Sequence, residues 1–225
     1  MGKLIAIDGV DASGKQTHTK MLIERLKADG RKVKLISFPD YESDSSALVK
    51  MYLSGKFGEN PNDVNAYAAS SFFAADRFAS YRMNWKKDYE NPDMIIIADR
   101  YTSSNMIHQA SKIDDEKEKN KFLAWLYELE FKIYALPEPD ITFFLDMPVE
   151  CAKKLMAERE NKFDKNQTKD IHERNTDYLK KSYDNACHIA KIYNWKHILC
   201  AKDTLVRPID EINNEIYDIV NGMLK

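Results

Sequence analysis

The sequence predicts an α/β fold in which helices cover both faces of a parallel sheet. Short apolar runs alternate with long amphipathic stretches along the 225 residues. A strand that is buried on both faces must be apolar throughout, and a parallel sheet between two helical layers requires such strands in series. A glycine-containing turn follows directly after the first apolar run. The predicted class is therefore α/β, with a five-stranded parallel sheet flanked by helices.

The predicted elements follow from apolar runs and from their boundaries. Five apolar runs are the predicted strands, at positions 4–7, 33–38, 94–98, 141–145 and 198–201. The first helix is predicted to begin at Gly14 and to end near Gly30, because glycine takes the left-handed conformation that follows many helix C-termini. Apolar periodicity predicts further helices over 62–87, 117–135 and 208–224.

The chain is predicted to form one domain over residues 1–225. Its length is that of one ordinary domain, and no repeat, linker or composition break divides it. The segment 159–170 is the most polar part of the chain and has little apolar periodicity. This segment is predicted to be a mobile lid.

Composition excludes several classes of function. The chain has 34 basic and 36 acidic residues and a formal charge of −2, so it lacks the broad positive field of a nucleic-acid-binding protein. No stretch approaches the roughly 18 apolar residues of a membrane span, and the N-terminus lacks a signal sequence, so we expect a cytoplasmic protein. The three cysteines are too few and too scattered for a disulfide framework or a zinc site.

The turn after the first apolar run matches a phosphate-binding loop. The pattern G-x-x-x-x-G-K is formed by Gly9, Val10, Asp11, Ala12, Ser13, Gly14 and Lys15. Glycines let the backbone N–H groups turn inward around a polyphosphate, while the helix N-terminus and the lysine add positive potential. The sequence therefore predicts a P-loop nucleoside-triphosphatase fold that binds the phosphates of a nucleoside triphosphate through residues 9–17.

The position after the lysine departs from the usual motif. A serine or threonine hydroxyl normally ligates Mg²⁺ there, but this chain has Gln16 followed by Thr17. Gln16 could offer an amide oxygen or hold a metal-bound water, and Thr17 could substitute for the missing hydroxyl. All three alternatives remain open from the sequence.

A regulatory GTPase is the main alternative from another class. Residues 161–164 satisfy the guanine-binding pattern N-K-x-D. That pattern should follow an apolar strand, whereas here it follows a charged helical stretch, and no D-x-x-G switch follows the third predicted strand. The position of the match therefore argues against a GTPase.

An ordered set of short motifs resembles the thymidylate kinase family of nucleoside monophosphate kinases. The similarity extends from Met1 to about Tyr183, and another nucleoside monophosphate or deoxynucleoside kinase is the nearest alternative. The motifs are Phe38-Pro39, Phe73 with Arg77 four residues later, Asp99-Arg100-Tyr101, and Leu136-Pro137-Glu138-Pro139-Asp140.

The resemblance implies transfer of the γ-phosphoryl group of ATP, with Mg²⁺, to thymidine 5′-monophosphate (dTMP) by a homodimer. It implies catalytic roles for Lys15, Asp11, Arg100, Asp99 and Arg159. It implies that dTMP contacts Asp11, Phe38, Tyr41, Phe73, Arg77, Arg100, Asn105 and His108. The metal candidates are Gln16, Thr17 and Asp99.

Three of these assignments have structural alternatives, one of which is that Asp99 could simply cap the third strand. Phe73 could be an ordinary core residue, and Arg77 could form a surface ion pair with Asp76 or its neighbours.

In the lid, Arg159 aligns with a family arginine, and Lys162 and Lys165 are further candidates for contacting the transferred phosphate. A family arginine that is thought to stack on adenine is replaced by Leu155, and adenine is expected beside residues 201–203.

Overall fold

The computed structural model describes residues 1–162, 171–172, 175–202 and 204–224. Its centre is a five-stranded parallel sheet in the order β2-β3-β1-β4-β5. The strands are β1 (Lys3–Gly9), β2 (Lys32–Ser37), β3 (Met94–Asp99), β4 (Ile141–Asp146) and β5 (Lys196–Leu199). The predicted α/β class and the five parallel strands are confirmed.

Helices follow the strands along the chain. They are α1 (Lys15–Ala28), α2 (Ala47–Leu53), α3 (Ala66–Ser80), α4 (Lys86–Tyr89), α5 (Thr102–His108), α6 (Glu116–Tyr127), α7 (Val149–Lys162), α8 (Thr176–Ile192) and α9 (Ile209–Met223). Two π-helical segments, Tyr81–Trp85 and Glu128–Ile133, continue α3 and α6. A small antiparallel pair, β6 (Ala201–Lys202) and β7 (Leu205–Val206), lies between β5 and α9. Within the described ranges, every helix is too short or too polar to span a bilayer.

The inner strands of the sheet are buried on both faces, while the edge strands β2 and β5 are partly exposed. Alternate residues of β1 face opposite sides, and Leu4, Ile5, Ala6 and Ile7 are all fully buried. Ile5 and Ile7 pack with residues of α1 and α9 on one face, while Leu4 and Ala6 pack on the other face. For the inner strands, the apolar runs that predicted them are therefore a direct consequence of burial on two sides.

Several predicted boundaries differ from the structure. The predicted run 198–201 crosses the end of β5 into β6, because Cys200 is buried without belonging to either strand. The single pattern predicted over 62–87 is divided into α3, a π-helical segment and α4. Neither α2 nor the β6-β7 pair was predicted, since each is too short to show a clear period.

The predicted lid is only partly covered by the description. The backbone of α7 continues to Lys162, so the first four residues of 159–170 are helical. Positions 163–170 lie outside the described residues. The helical backbone at 161–162 also argues against the GTPase alternative, since the N-K-x-D match begins within a helix rather than after a strand.

Candidate active site

The phosphate loop joins β1 to α1, and two of its positions require glycine. A Cβ atom at Gly9 would lie 2.7 Å from Ser13 Oγ and 2.8 Å from the Leu145 carbonyl oxygen. Gly14 has a φ of 84° and precedes the first residue of α1. Other residues rarely adopt this left-handed conformation, so the loop can bend into the helix only with glycine here.

Lys15 lies over this loop. Its Nζ donates hydrogen bonds to the carbonyl oxygens of Gly9 (2.9 Å) and Val10 (2.8 Å). Burial and then the nearby Arg100 lower the pKa of Lys15 to about 8, against the opposing effect of nearby carboxylates. A bound polyphosphate would favour the charged form of this ammonium group.

Asp8, at the end of β1, was missed by the sequence analysis. Its buried carboxylate accepts hydrogen bonds from the backbone N–H of Gly9 and from the hydroxyls of Ser103 and Ser104, each at 2.8 Å. It therefore fastens the phosphate loop to the first turn of α5. A charged residue at the carboxyl end of an apolar strand was the signal that could have identified it.

Arg100 lies between the phosphate loop and α5. Its φ is 67°, a strained conformation for a non-glycine residue. The guanidinium forms an ion pair with Asp11 and contacts His108 Nε2 at 3.3 Å. Burial opposes ionisation of both partners, yet their mutual attraction raises the pKa of Arg100 and holds the pKa of Asp11 well below its usual range. The pair is therefore fully charged at neutral pH.

A cavity beside Arg100 brings together all eight residues predicted to contact dTMP. Its volume is about 80 Å³. Its lining consists of Asp11, Phe38, Pro39, Tyr41, Leu53, Phe73, Arg77, Arg100, Ser104, Asn105, His108, Gln109 and His172. This volume is smaller than the few hundred Å³ of a typical ligand pocket. We call this space the acceptor cavity.

Phe73 and Arg77 line the acceptor cavity from α3. Phe73 is half-buried and meets the ring of Tyr52 edge-on, with centroids 6.2 Å apart. Arg77 is only 1% exposed and pairs with Glu130 through two hydrogen bonds of 2.6 Å each. The alternative of a surface ion pair between Arg77 and Asp76 is wrong, because Asp76 accepts instead from the Asp40 backbone N–H and the Ser45 hydroxyl.

Two histidine rings stack at the edge of this cavity. His108 and His172 have centroids 6.0 Å apart and an interplanar angle of 19°. Burial, with Arg100 second, lowers the pKa of His108 well below its usual range, and burial, with Lys112 second, lowers the pKa of His172 to about 3. Because an arginine can only donate, His108 Nε2 accepts from Arg100, and the proton of the neutral ring lies on Nδ1.

A second cavity, of about 220 Å³, lies on the other side of the phosphate loop. Thr17 and Leu155 line it, together with Val206 and Arg207 after the β6-β7 turn. Adenine was expected beside residues 201–203; Ala201 and Lys202 do not line this cavity, and position 203 lies outside the described residues. Gln16 is exposed and does not line the cavity. The side chains of Arg159, Lys162 and Lys165 lie outside the described part of the chain.

Comparison of the sequence with known proteins identifies the family of this chain. The family model described as thymidylate kinase matches residues 7–216. The thymidylate kinase of Mycobacterium tuberculosis is 31% identical over 177 residues, which are 77% of this chain and 79% of the relative. A probable thymidylate kinase of Methanocaldococcus jannaschii is 30% identical over 215 residues, covering 94% and 92%. The chain belongs to the thymidylate kinase family.

The structural comparison agrees at the level of the fold. A thymidylate kinase structure from Candida albicans superposes with a TM-score of 0.74 at 24% identity, covering 98% of this chain and 92% of that chain. Membership of the thymidylate kinase family makes the protein an ATP-dependent nucleoside monophosphate kinase, which is a phosphotransferase. The phosphate loop and the acceptor cavity are the expected parts of such an enzyme.

Thymidylate kinase chemistry generally involves Mg²⁺, and the site has oxygen ligands that suit this ion. Asp99 is half-buried at the end of β3, and its carboxylate makes no hydrogen bond within the described ranges. Burial raises its pKa, while Lys15 and Arg100 oppose that effect. No cluster of three or more His, Cys, Asp or Glu side chains poised for a metal occurs among the described residues. A site of one carboxylate completed by substrate phosphates fits Mg²⁺.

Gln109 was also missed by the sequence analysis. It follows α5, is 1% exposed and lines the acceptor cavity. Its amide oxygen is buried and has no hydrogen-bond partner among the described residues. Its neighbour Asn105 donates to the Ser70 carbonyl oxygen at 3.2 Å. An unpaired amide in a nucleotide pocket can accept from a base N–H group, and only the folded geometry reveals this.

A larger cavity, of about 620 Å³, lies on the opposite side of α5. Thr102, Met106, Leu126 and Trp195 are among its lining residues. None of the residues predicted for thymidylate kinase activity lines it. The phosphate loop and the charged groups, rather than cavity size, therefore locate the active site.

Proposed function

We propose that the protein transfers the γ-phosphoryl group of ATP to dTMP, giving thymidine diphosphate and ADP, in the supply of dTTP. The single observation that supports this most strongly is the position of the Arg100–Asp11 pair. It lies between the phosphate loop and a cavity lined by every residue that the family resemblance assigns to the acceptor.

The reaction needs electrostatic positioning rather than a strong base. The second pKa of a phosphate monoester is about 6, so the attacking phosphate is already mostly dianionic at neutral pH. Arg100 would hold the acceptor phosphate, and Lys15 with the loop N–H groups would hold the phosphates of ATP. Asp11 would keep Arg100 in place. Since positions 10–13 contain no Lys or Arg, Arg159 would supply the remaining positive charge at the transferred group.

The base would be recognised by α3 and α5. Phe73 would stack its ring on the pyrimidine, and Arg77 on the same side of α3 would donate to a ring carbonyl oxygen. Asn105 and Gln109 would complete the polar edge. His108, as a neutral N–H donor, would lie near the sugar.

Asp99 would hold Mg²⁺, with Gln16 or Thr17 as a further oxygen donor. The ion would neutralise phosphate charge in the donor nucleotide. We expect that either Gln16→Thr or Thr17→Ala shifts the Mg²⁺ concentration required for half-maximal turnover. If neither variant changes this concentration, both residues are removed from the metal site.

We also propose the domain organisation, the cellular location and the oligomeric state of the protein. We expect one domain over residues 1–225, a cytoplasmic location where ATP is available, and a homodimer. The exposed rings of Tyr67 and Phe78 on α3 would supply an apolar face for the dimer. Light scattering coupled to size-exclusion chromatography tests the dimer, and a monomer at micromolar concentration would contradict it.

The direct test is a coupled ADP-release assay with ATP and Mg²⁺. The acceptors are dTMP, dUMP, UMP, CMP, AMP, GMP and thymidine. A clear preference for dTMP is expected. Turnover of only another acceptor would assign the chain to a different nucleoside monophosphate kinase activity, and ATP hydrolysis without any acceptor would overturn the proposal.

A further inference from the structure

Glu130 is a buried carboxylate with no role in the mechanism above. It lies in the π-helical segment Glu128–Ile133 and is 0% exposed. Its two oxygens accept from Arg77 Nε and Nη2, both at 2.6 Å, and Oε2 also accepts from the Thr102 hydroxyl at 2.7 Å. One carboxylate therefore ties α3, α5 and the π-helical segment together.

This pairing determines which part of the arginine remains available. A guanidinium has five N–H donors in a rigid plane, and the carboxylate engages the edge formed by Nε and Nη2. Nη1 makes no hydrogen bond within the described residues, and Arg77 lines the acceptor cavity. Glu130 also neutralises a cation that would otherwise be buried without a counter-charge, which would be unfavourable.

We propose that Glu130 is a positioning residue that selects the base of the acceptor by fixing Arg77. The proposal rests on the proposed function, since it takes Arg77 as the group that contacts the pyrimidine. With Nε–H and one N–H of Nη2 held by the carboxylate, the two N–H groups of Nη1 and the second N–H of Nη2 are left for the base, and all of them can only donate. The site therefore favours a pyrimidine with a carbonyl oxygen at position 4 over one with an amino group there.

The experiment compares dTMP with 5-methyl-dCMP, which has an amino group instead of the carbonyl oxygen at position 4 and, as a consequence, no proton on N3. The measurements are their dissociation constants by calorimetry, with kcat and KM for dTMP. In Glu130→Gln, the amide NH₂ group faces an arginine N–H, so the two-bond pairing is lost. We expect dTMP binding to weaken by about 10- to 100-fold, because a hydrogen bond to a charged group is lost. The weaker binding should raise KM for dTMP more than it changes kcat. The affinity for 5-methyl-dCMP should change by less than about 3-fold.

The control variant is Glu128→Gln, an exposed glutamate of the same π-helical segment, which should leave both affinities unchanged. If Glu130→Gln does not fold, Thr102→Val and Thr102→Ser provide the test. The valine variant removes one of the three hydrogen bonds to Glu130 and should lower dTMP affinity selectively, whereas serine should restore it.

Equal weakening for both nucleotides, or no weakening for dTMP, would overturn the positioning role and leave Glu130 as a structural residue. Failure of the wild-type protein to turn over dTMP would instead refute the proposed function. The two failures are therefore distinguishable.

Discussion

The neutral His172 ring should make the protein lose stability in mild acid. Burial first, and then Lys112, lowers its pKa from 6.5 to about 3. Between these two values the unfolded chain carries a proton on this ring and the folded chain does not. Stability must therefore fall as the pH falls through 6.5 and continue to fall until about pH 3.

The size of this loss follows from the same two pKa values. A pH of 5 is roughly 1.5 units below the pKa of this ring in the unfolded chain. Each pH unit in that range lowers the free energy of unfolding by about 1.4 kcal/mol. His172 alone should therefore cost about 2 kcal/mol between pH 7 and pH 5, a sizeable fraction of the roughly 5–15 kcal/mol that stabilises a typical protein.

Urea unfolding, followed by tryptophan fluorescence at pH 7 and pH 5, measures this loss. The wild type should lose about 2 kcal/mol more than His172→Gln between the two pH values, because glutamine cannot bind the proton. Because each protein is compared with itself at the two pH values, any pH-independent effect of the substitution on stability cancels. His188→Gln, at an exposed position, is the matched control and should behave as the wild type does. An identical pH-dependent loss in wild type and His172→Gln would refute the reasoning.

Three further substitutions test the active site. Gly9→Ala places a methyl group against Ser13 Oγ and should lower ATP affinity at least about 10-fold by nucleotide titration, so unchanged affinity would contradict the close approach of Ser13 to Gly9. Asp11→Asn removes the charge that holds Arg100 and should reduce kcat/KM for dTMP by about 10- to 100-fold, with a smaller effect on ATP binding. Arg159→Ala should lower kcat by about 10-fold or more in a steady-state assay, and wild-type kcat would remove this residue from the transfer step.

Sequence reasoning predicted the features that depend on neighbouring positions. The three inner strands, β1, β3 and β4, could be identified because burial on both faces makes most of their residues apolar, whereas the edge strands β2 and β5 are partly exposed and only partly apolar. The phosphate loop could be identified because its glycines and lysine are adjacent and their roles depend on local backbone geometry. The acceptor residues came from the family resemblance, and the structure gathers them in one cavity.

The residues that were missed act through contacts between distant positions. Arg77 and Glu130 are 53 residues apart, and a π-helical turn sets which side of the chain Glu130 faces. Asp8 meets Ser103 across 95 residues, and His172 meets Tyr52 across 120. No periodicity relates such positions, so only the folded chain identifies these partners.

The left-handed backbone at Arg100 limits how this site could be moved to another protein. The direction of the guanidinium is set by the turn after β3, where the Arg100 N–H donates to the Ile7 carbonyl oxygen at 3.1 Å. Copying the tripeptide Asp99-Arg100-Tyr101 onto a different P-loop scaffold would transfer the side chains without their orientation. A designer would have to transplant the turn together with the adjacent ends of β1 and β3, so the smallest portable unit is a piece of backbone.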